Sequence, residues 1–510
     1  MNAMLNRRRM LRNSALGLAA LALNPVRALG NMNMNMSPGG SSPWLTLYKD
    51  ALNIPPVLKP EIRGKTHYYT VTLQTGLART HSDLPPTPVW GFNGLYPGPT
   101  IKATKGQPVV VRFVSQLPDT HGMNAEASAE IGMMYPAVHL HGAHVAPEDD
   151  GHPLASVPGM TQRDYNYPNN QRAATLLYHD HTHGQTGLHV YHGLAGLYLI
   201  DDPEEQNLGL PGGDYDIPLL IQDRLFNKDG SFSYVLDKNT RETGMLGDRI
   251  LVNGVVQPHF KVARRKYRFR IVNASNARVL YLQLETLADF IQIGTDGGLL
   301  PKPVKKRMIE LSPFQRADVV LDFSGYTKGA KVVMRNCQDC LWCPKCTGPS
   351  TFVMRFDVED DAEDNSTVPT GLSPWQNLPV TARTVTREFT LTRKTTPDGT
   401  VWMINGQTYD MKNPPLIQVK HGDVEKWKFV NLTGHQHPIH IHLIQFQVLD
   451  INGVPQDPSL HGWRDVLVAP PNGHMTVVAR YAGYTGRYLF HCHNLEHEDL
   501  GMMADYEIVP

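Results

Sequence analysis

The sequence predicts an all-β chain of three consecutive β-sandwich domains, and three observations carry that prediction. The chain has 510 residues, beyond the size at which one hydrophobic core usually stops growing. Gly 43 and Pro 39 punctuate it densely, as many turns between short strands require. One turn-and-strand unit also recurs. Asn93-Gly94 precedes Pro99-Thr100-Ile101 and a strand-like run at 108–114. Asn253-Gly254 precedes Pro258-His259-Phe260 and a run at 267–272, and Asn405-Gly406 precedes Pro414-Pro415-Leu416 and a run at 424–430. The Asn-Gly pairs are hairpin-type turn signals and lie 160 and 152 residues apart. That spacing suits one sandwich per unit. The units are placed at 43–203, 204–358 and 384–510, with an acidic, Pro- and Ser-rich linker at 359–383.

Hydrophobic residues make up 41% of the chain and charged residues 19%, which excludes a disordered protein. The formal net charge is +0, so nothing points to a nucleic-acid or acidic-membrane partner. Residues 1–30 read as a leader rather than as part of the fold. Arg7-Arg8-Arg9-Met10-Leu11-Arg12 precedes the apolar run 15–23, and Ala28-Leu29-Gly30 follows as a small-residue cleavage site. The paired arginines mark a twin-arginine-type signal, which implies a periplasmic or secreted protein that folds before export. The apolar run is too short to span a bilayer, and no later segment is long and apolar enough to do so. The Met-rich stretch 31–36 reads as a polar tail or as thioether ligands for Cu(I).

The chemistry lies in four short segments. His139-Leu140-His141 and His179-Asp180-His181 fall in the first unit; His440-Ile441-His442 and His491-Cys492-His493 fall in the third. In a strand, residues two apart share a face, so each pair offers two imidazoles to one site. Imidazole suits copper, zinc, iron and nickel, and by itself does not choose among them. Cys492 does more. Lying between two histidines, it faces the other way and needs other partners there. His437 precedes the third pair, and His497 and Met502 follow Cys492 by five and ten residues. Two His, one Cys and a weak Met form the ligand set of a blue-copper electron-transfer site.

These segments resemble the four copper signatures of the multicopper oxidases, which include laccases, ascorbate oxidase and bilirubin oxidase. The ending His491-Cys492-His493-Asn494-Leu495-Glu496-His497-Glu498-Asp499-Leu500-Gly501-Met502-Met503 is most similar to bacterial spore-coat-type laccases and bilirubin oxidases. The resemblance implies cupredoxin-like Greek-key domains and four copper ions. It assigns His437, Cys492 and His497 to a type 1 copper with Met502 axial, and His139 and His440 to a type 2 copper. His141, His179, His181, His442, His491 and His493 would hold the type 3 pair. It further implies one-electron oxidation of phenols or aromatic amines coupled to four-electron reduction of dioxygen to water. The partners are then dioxygen and a small reducing substrate, and the chain acts as a monomer. Glu498 is the expected proton-relay residue, and Asp149 and Asp150 are candidates for a carboxylate near the type 2 copper. Alternatives are a metallo-oxidase for Cu(I) or Mn(II), a bilirubin oxidase, a copper-storing or coat protein, and a nitrite reductase. The last needs neither three units nor eight paired imidazoles.

The chain departs from the family at Leu177-Tyr178-His179, which stands for the family's Trp-Tyr-His, and more widely in a cysteine run. Cys337, Cys340, Cys343 and Cys346 stand at strict three-residue spacing. Two disulfides, a four-thiolate metal site and free thiols are all compatible with it.

Overall fold

Strand formation follows the period-two pattern of the sequence. In Val109–Ser115, Val109, Val111 and Phe113 turn inward and Arg112 outward; in Val424–Asn431, Trp427 and Phe429 are buried and Lys426 and Lys428 less so. The computed structural model describes residues 41–117, 137–155, 161–338, 346, 348–397 and 399–510. The leader at 1–30, the Met-rich stretch 31–36, Cys340 and Cys343 lie outside the described residues.

The named strands form six sheets. Two are built between Glu61 and Asp201, two between Asp216 and Asp360, and two between Thr386 and Val509. Each pair repeats the same two parallel pairings. Thr66–Ala78 runs parallel to Val109–Ser115, Asp216–Arg224 to Lys266–Asn273, and Thr386–Thr396 to Val424–Asn431. Gly98–Thr104 runs parallel to Ala195–Asp201, His259–Ala263 to Phe352–Asp360, and Ile417–Lys420 to Met503–Val509.

The Asn-Gly repeat is the matching local feature. Asn93, Asn253 and Asn405 have φ of 56, 50 and 51°, and each is followed by a glycine of positive φ. This is the two-residue turn that favours Asn-Gly. Each asparagine Oδ1 accepts a backbone N–H from the preceding strand, those of Thr72, Leu220 and Thr390, at 2.8 Å in every case.

No strand or helix occupies 361–385. That segment nevertheless is tied to the second unit: Asp364 accepts the Lys266 backbone N–H, and Leu372 packs with Ile293, Leu299 and Val320. Large apolar cores fill the second and third sandwiches. A smaller cluster draws on all three segments: Leu177, Val190 and Leu197; Leu220, Val272 and Phe314; and Leu495. The functional site lies against this junction.

Candidate metal centre

Two strand pairs present the imidazoles. Val138–His141 pairs antiparallel with Ala174–Asp180, setting His139 opposite His179. His437–Ile441 pairs antiparallel with Gly486–Cys492, setting His440 opposite His491 and Ile439 opposite Cys492. His442, His181 and His493 directly follow their strands, so all eight imidazoles converge. His139 Nε2 lies 3.4 Å from His440 Nε2, and His491 Nε2 lies 3.3 Å from His181 Nε2 and 3.1 Å from His442 Nε2. The rings of His141 and His440 stack at 3.8 Å, and those of His139 and His442 at 3.9 Å.

The other ring nitrogens are held from outside. His139 Nδ1–H donates to the Asp150 carbonyl at 2.6 Å, His179 Nδ1–H to that of Asp180 at 2.8 Å, and His440 Nδ1–H to that of Asp465 at 2.8 Å. His442 Nδ1–H donates to the Asp150 carboxylate at 2.7 Å and His491 Nδ1–H to the Cys492 carbonyl at 3.0 Å, with Glu498 Oε2 lying 3.1 Å from the same His491 nitrogen. Such outer contacts fix the tautomer and leave the inward nitrogen free to ligate. His141 Nδ1, His179 Nε2 and both nitrogens of His493 are buried without a hydrogen-bond partner among the described residues. Buried polar atoms are rarely left so, and lone pairs facing each other at these distances call for a cation between them. The residues present therefore fit a cluster of imidazole-bound metal ions.

A second, smaller group adjoins it. Cys492 Sγ lies 3.5 Å from His437 Nδ1 and 3.9 Å from His497 Nδ1, and the two nitrogens are 3.2 Å apart. His437 Nε2 pairs with Thr433 Oγ1 at 2.8 Å, and His497 Nε2–H donates to the Glu242 carbonyl at 3.0 Å. The Asn494 backbone N–H points at the sulfur from 3.4 Å. Met502 is buried in the same core as Cys492, and its carbonyl accepts the Cys492 N–H at 3.0 Å. The Trp402 ring lies 4.0 Å from that of His497. Outside His497 opens a cleft of about 320 Å³ whose walls include Leu246, Val279, Pro313 and Pro438.

Burial sets the charge states. It drives His139, His141, His181, His437, His440, His442 and His493 well below the value of a free imidazole, and it pushes the Cys492 thiol up. Neutral imidazole is the ligating form; a thiol must lose its proton as it binds a metal. His179 is pushed down to about 4 and His497 to about 3, in both cases mainly by burial. The metal-free folded chain thus refuses protons that the unfolded chain accepts below about pH 6.5. Stability present above that value is lost as pH falls, each of these two groups contributing up to about 1.4 kcal/mol per pH unit until its own folded value is reached. The urea midpoint of the metal-stripped protein is accordingly lower at about pH 5 than at about pH 8. Equal midpoints would contradict the buried, neutral cluster.

The carboxylates divide. Asp150 stands inside the constellation, fully buried, and burial raises it well above the ordinary range. Asp149 is not brought to it: its carboxylate accepts the backbone N–H and side-chain amide of Asn166. Glu498 touches the cluster through His491 and lies 3.5 Å from His181 Nδ1. Burial pushes its carboxyl up, but these two rings outweigh that and hold it low. Asp465, absent from the sequence prediction, accepts His141 Nε2–H at 3.1 Å and is paired with the buried Arg316. Its place is set by the register of Val466–Ala469 on His437–Ile441, which no local motif announces. A disulfide joins Cys337 to Cys346, which takes two thiolates away from the four-thiolate reading.

Two family models, each described as multicopper oxidase, match residues 76–205 and 381–510. A laccase of Bacillus subtilis is 37% identical over 91% of this chain and 99% of its own. A bilirubin oxidase of Albifimbria verrucaria is 34% identical over 91% of this chain and 82% of its own. Among solved structures, a laccase from Pediococcus acidilactici superposes with a TM-score of 0.80 at 32% identity, covering 92% of this chain and 96% of its own. A multicopper oxidase from Campylobacter jejuni, titled a metallo-oxidase, gives 0.76 at 25% identity, covering 93% and 99%.

Proposed function

The chain belongs to the multicopper oxidase family, and from that premise we propose how its residues divide the work of a laccase-like oxidase. The activity is one-electron oxidation of phenolic or aromatic-amine substrates coupled to reduction of dioxygen. His437, Cys492, His497 and Met502 would hold a type 1 copper. His139 and His440 would hold a type 2 copper, and His141, His179, His181, His442, His491 and His493 would hold a type 3 pair. The observation that carries this is the convergence of ten buried imidazoles and Cys492 into two adjoining groups, with the outer nitrogens of His139, His440, His442 and His497 tied down. Bound copper would supply electron acceptance at the first group and reduction of dioxygen to water at the second.

The chain's own residues do the rest. The cleft beside His497 combines apolar walls at Leu246, Val279, Pro313 and Pro438 with polar ones at Thr243, Arg278 and Gln436, and a small aromatic substrate bound there would lie within reach of the imidazole. Cys492 is bonded through the backbone to His491 and His493, so one strand end joins the two groups by a short covalent path. Glu498, a carboxylate whose Oε2 lies 3.1 Å from His491 Nδ1, would take up a proton and pass it to the cluster during turnover, and Asp150 orients His139 and His442 together. Export by the leader at 1–30 to the periplasm or beyond, and action as a monomer, belong to the same proposal. Cell fractionation and gel filtration read them, and a purely cytoplasmic pool or a stable oligomer would overturn them.

Copper-loaded protein is expected to show an intense blue thiolate-to-copper absorption and to consume oxygen with a simple phenol. Loading without a blue band would overturn the assignment of Cys492. Faster uptake with Cu(I), Mn(II) or bilirubin than with phenols would move the substrate class and leave the site intact.

A further inference from the structure

The middle sandwich supplies none of the ten imidazoles and not Cys492, yet it reaches the cluster at two points. Arg316 opens the strand Arg316–Asp322 and is fully buried. Its fork closes on Asp465, Nη1 to Oδ1 at 2.5 Å and Nη2 to Oδ2 at 2.6 Å. Nε donates to the Thr175 carbonyl at 3.0 Å, and Nη2 also to that of Asp296 at 3.0 Å, so the guanidinium is fixed from the first and second segments alike. Asp465 then sets two rings. Its Oδ1 accepts His141 Nε2–H at 3.1 Å, and its carbonyl accepts His440 Nδ1–H at 2.8 Å. One of these rings comes from the first sandwich and the other from the third, and they stack on each other. Gly142 leaves room for this arrangement: a Cβ there would lie 2.6 Å from Arg316 Nη2 and 2.8 Å from Asp465 Oδ2.

The second point is Phe314. It has φ of 63°, a left-handed conformation costly for a bulky residue and sustained only where the surroundings over-determine it. Its ring stacks on His493 at 3.8 Å and meets His179 edge-on at 4.8 Å.

We propose that the segment Phe314-Gln315-Arg316 positions the cluster: Arg316 locks Asp465, which orients His141 and His440, while Phe314 is the platform for His493 and His179. This rests on the copper assignment above, and the test separates the two. Arg316→Lys keeps the charge but replaces a two-pronged donor by a point charge. Phe314→Leu keeps an apolar side chain but removes the flat ring. Parent and variants, as full copper-loaded chains, are compared by copper per chain during chelator titration, by blue absorption, and by the electron paramagnetic signal of the non-blue copper. The blue absorption stays at the parent level, while cluster copper is stripped at about 10–100-fold lower chelator concentration. Cluster copper held as tightly as in the parent in both variants overturns the proposal. So does parallel loss of blue and cluster copper, which marks general destabilisation. If Arg316→Lys does not fold, Phe314→Leu carries the same two readings. A parent that takes up copper only at the blue site overturns the ligand assignment, and this proposal with it.

Discussion

Cys492→Ser abolishes the blue absorption of the copper-loaded protein and reduces phenol oxidation to the level of the copper-free chain, while the cluster imidazoles still take up copper. The absorption requires a thiolate, and an alkoxide is too hard a donor to replace it at a site with two imidazoles and a thioether. The substitution is nearly isosteric in a fully buried position, and the Asn494 N–H that now points at sulfur remains available to the hydroxyl oxygen. The folding cost is therefore confined to a buried hydroxyl, about 1–3 kcal/mol. Copper analysis and electron paramagnetic resonance on the same sample check the result. A blue band surviving in the serine variant would show that another residue carries the thiolate role, and the model of electron entry through Cys492 would fail.

Glu498→Gln lowers kcat by about 10²–10⁴-fold, the range typical of a lost general acid–base group. Blue absorption and copper content stay at the parent level. His491 Nδ1–H keeps its hydrogen bond to the Cys492 carbonyl at 3.0 Å in the variant, so ring orientation is retained and only proton exchange is lost. Glu498→Asp, a titratable group set back by one methylene, recovers part of the rate. Steady-state oxygen uptake at saturating phenol measures both variants. Parent-like turnover in the glutamine variant would remove Glu498 from the proton path and leave Asp150 as the buried carboxylate to test next.

Much of this site was legible because its chemistry is local. A His-x-His pair on a strand declares its shared face by period alone, and the tail from His491 to Met502 contains most of one ligand set within a single turn of chain. The Asn-Gly repeat was legible for a similar reason: only a few residues adopt two successive positive-φ positions, and Asn-Gly does so in all three sandwiches. What escaped depends on register and on contacts between sheets. Asp465 follows a tryptophan and an arginine in a stretch without periodicity, and becomes a cluster residue only once Val466–Ala469 is laid against His437–Ile441. Arg316 and Phe314 belong to the sandwich without ligands, so no search for paired histidines leads to them. Asp149 and Asp150 were indistinguishable as neighbours in sequence. The short 3-10 turn Pro147–Asp149 sends the first to Asn166 and the second to His442.

The pairing of His139 with His440 spans 301 residues of chain, and it bears on how the protein is made. A ribosome releases the first two imidazole pairs long before the last two. Until the final strand Met503–Val509 zips onto Gly486–Cys492, the nascent chain is an open chelator with half a site. Closing so long a loop costs only logarithmically more than closing a short one, so the delay is one of synthesis rather than of thermodynamics. During that interval any soft or borderline ion in the compartment can occupy a pair of imidazoles in the wrong stoichiometry. Faithful assembly therefore favours synthesis where free copper is scarce and metallation after release, an ordering imposed by the position of the ligands along the gene product.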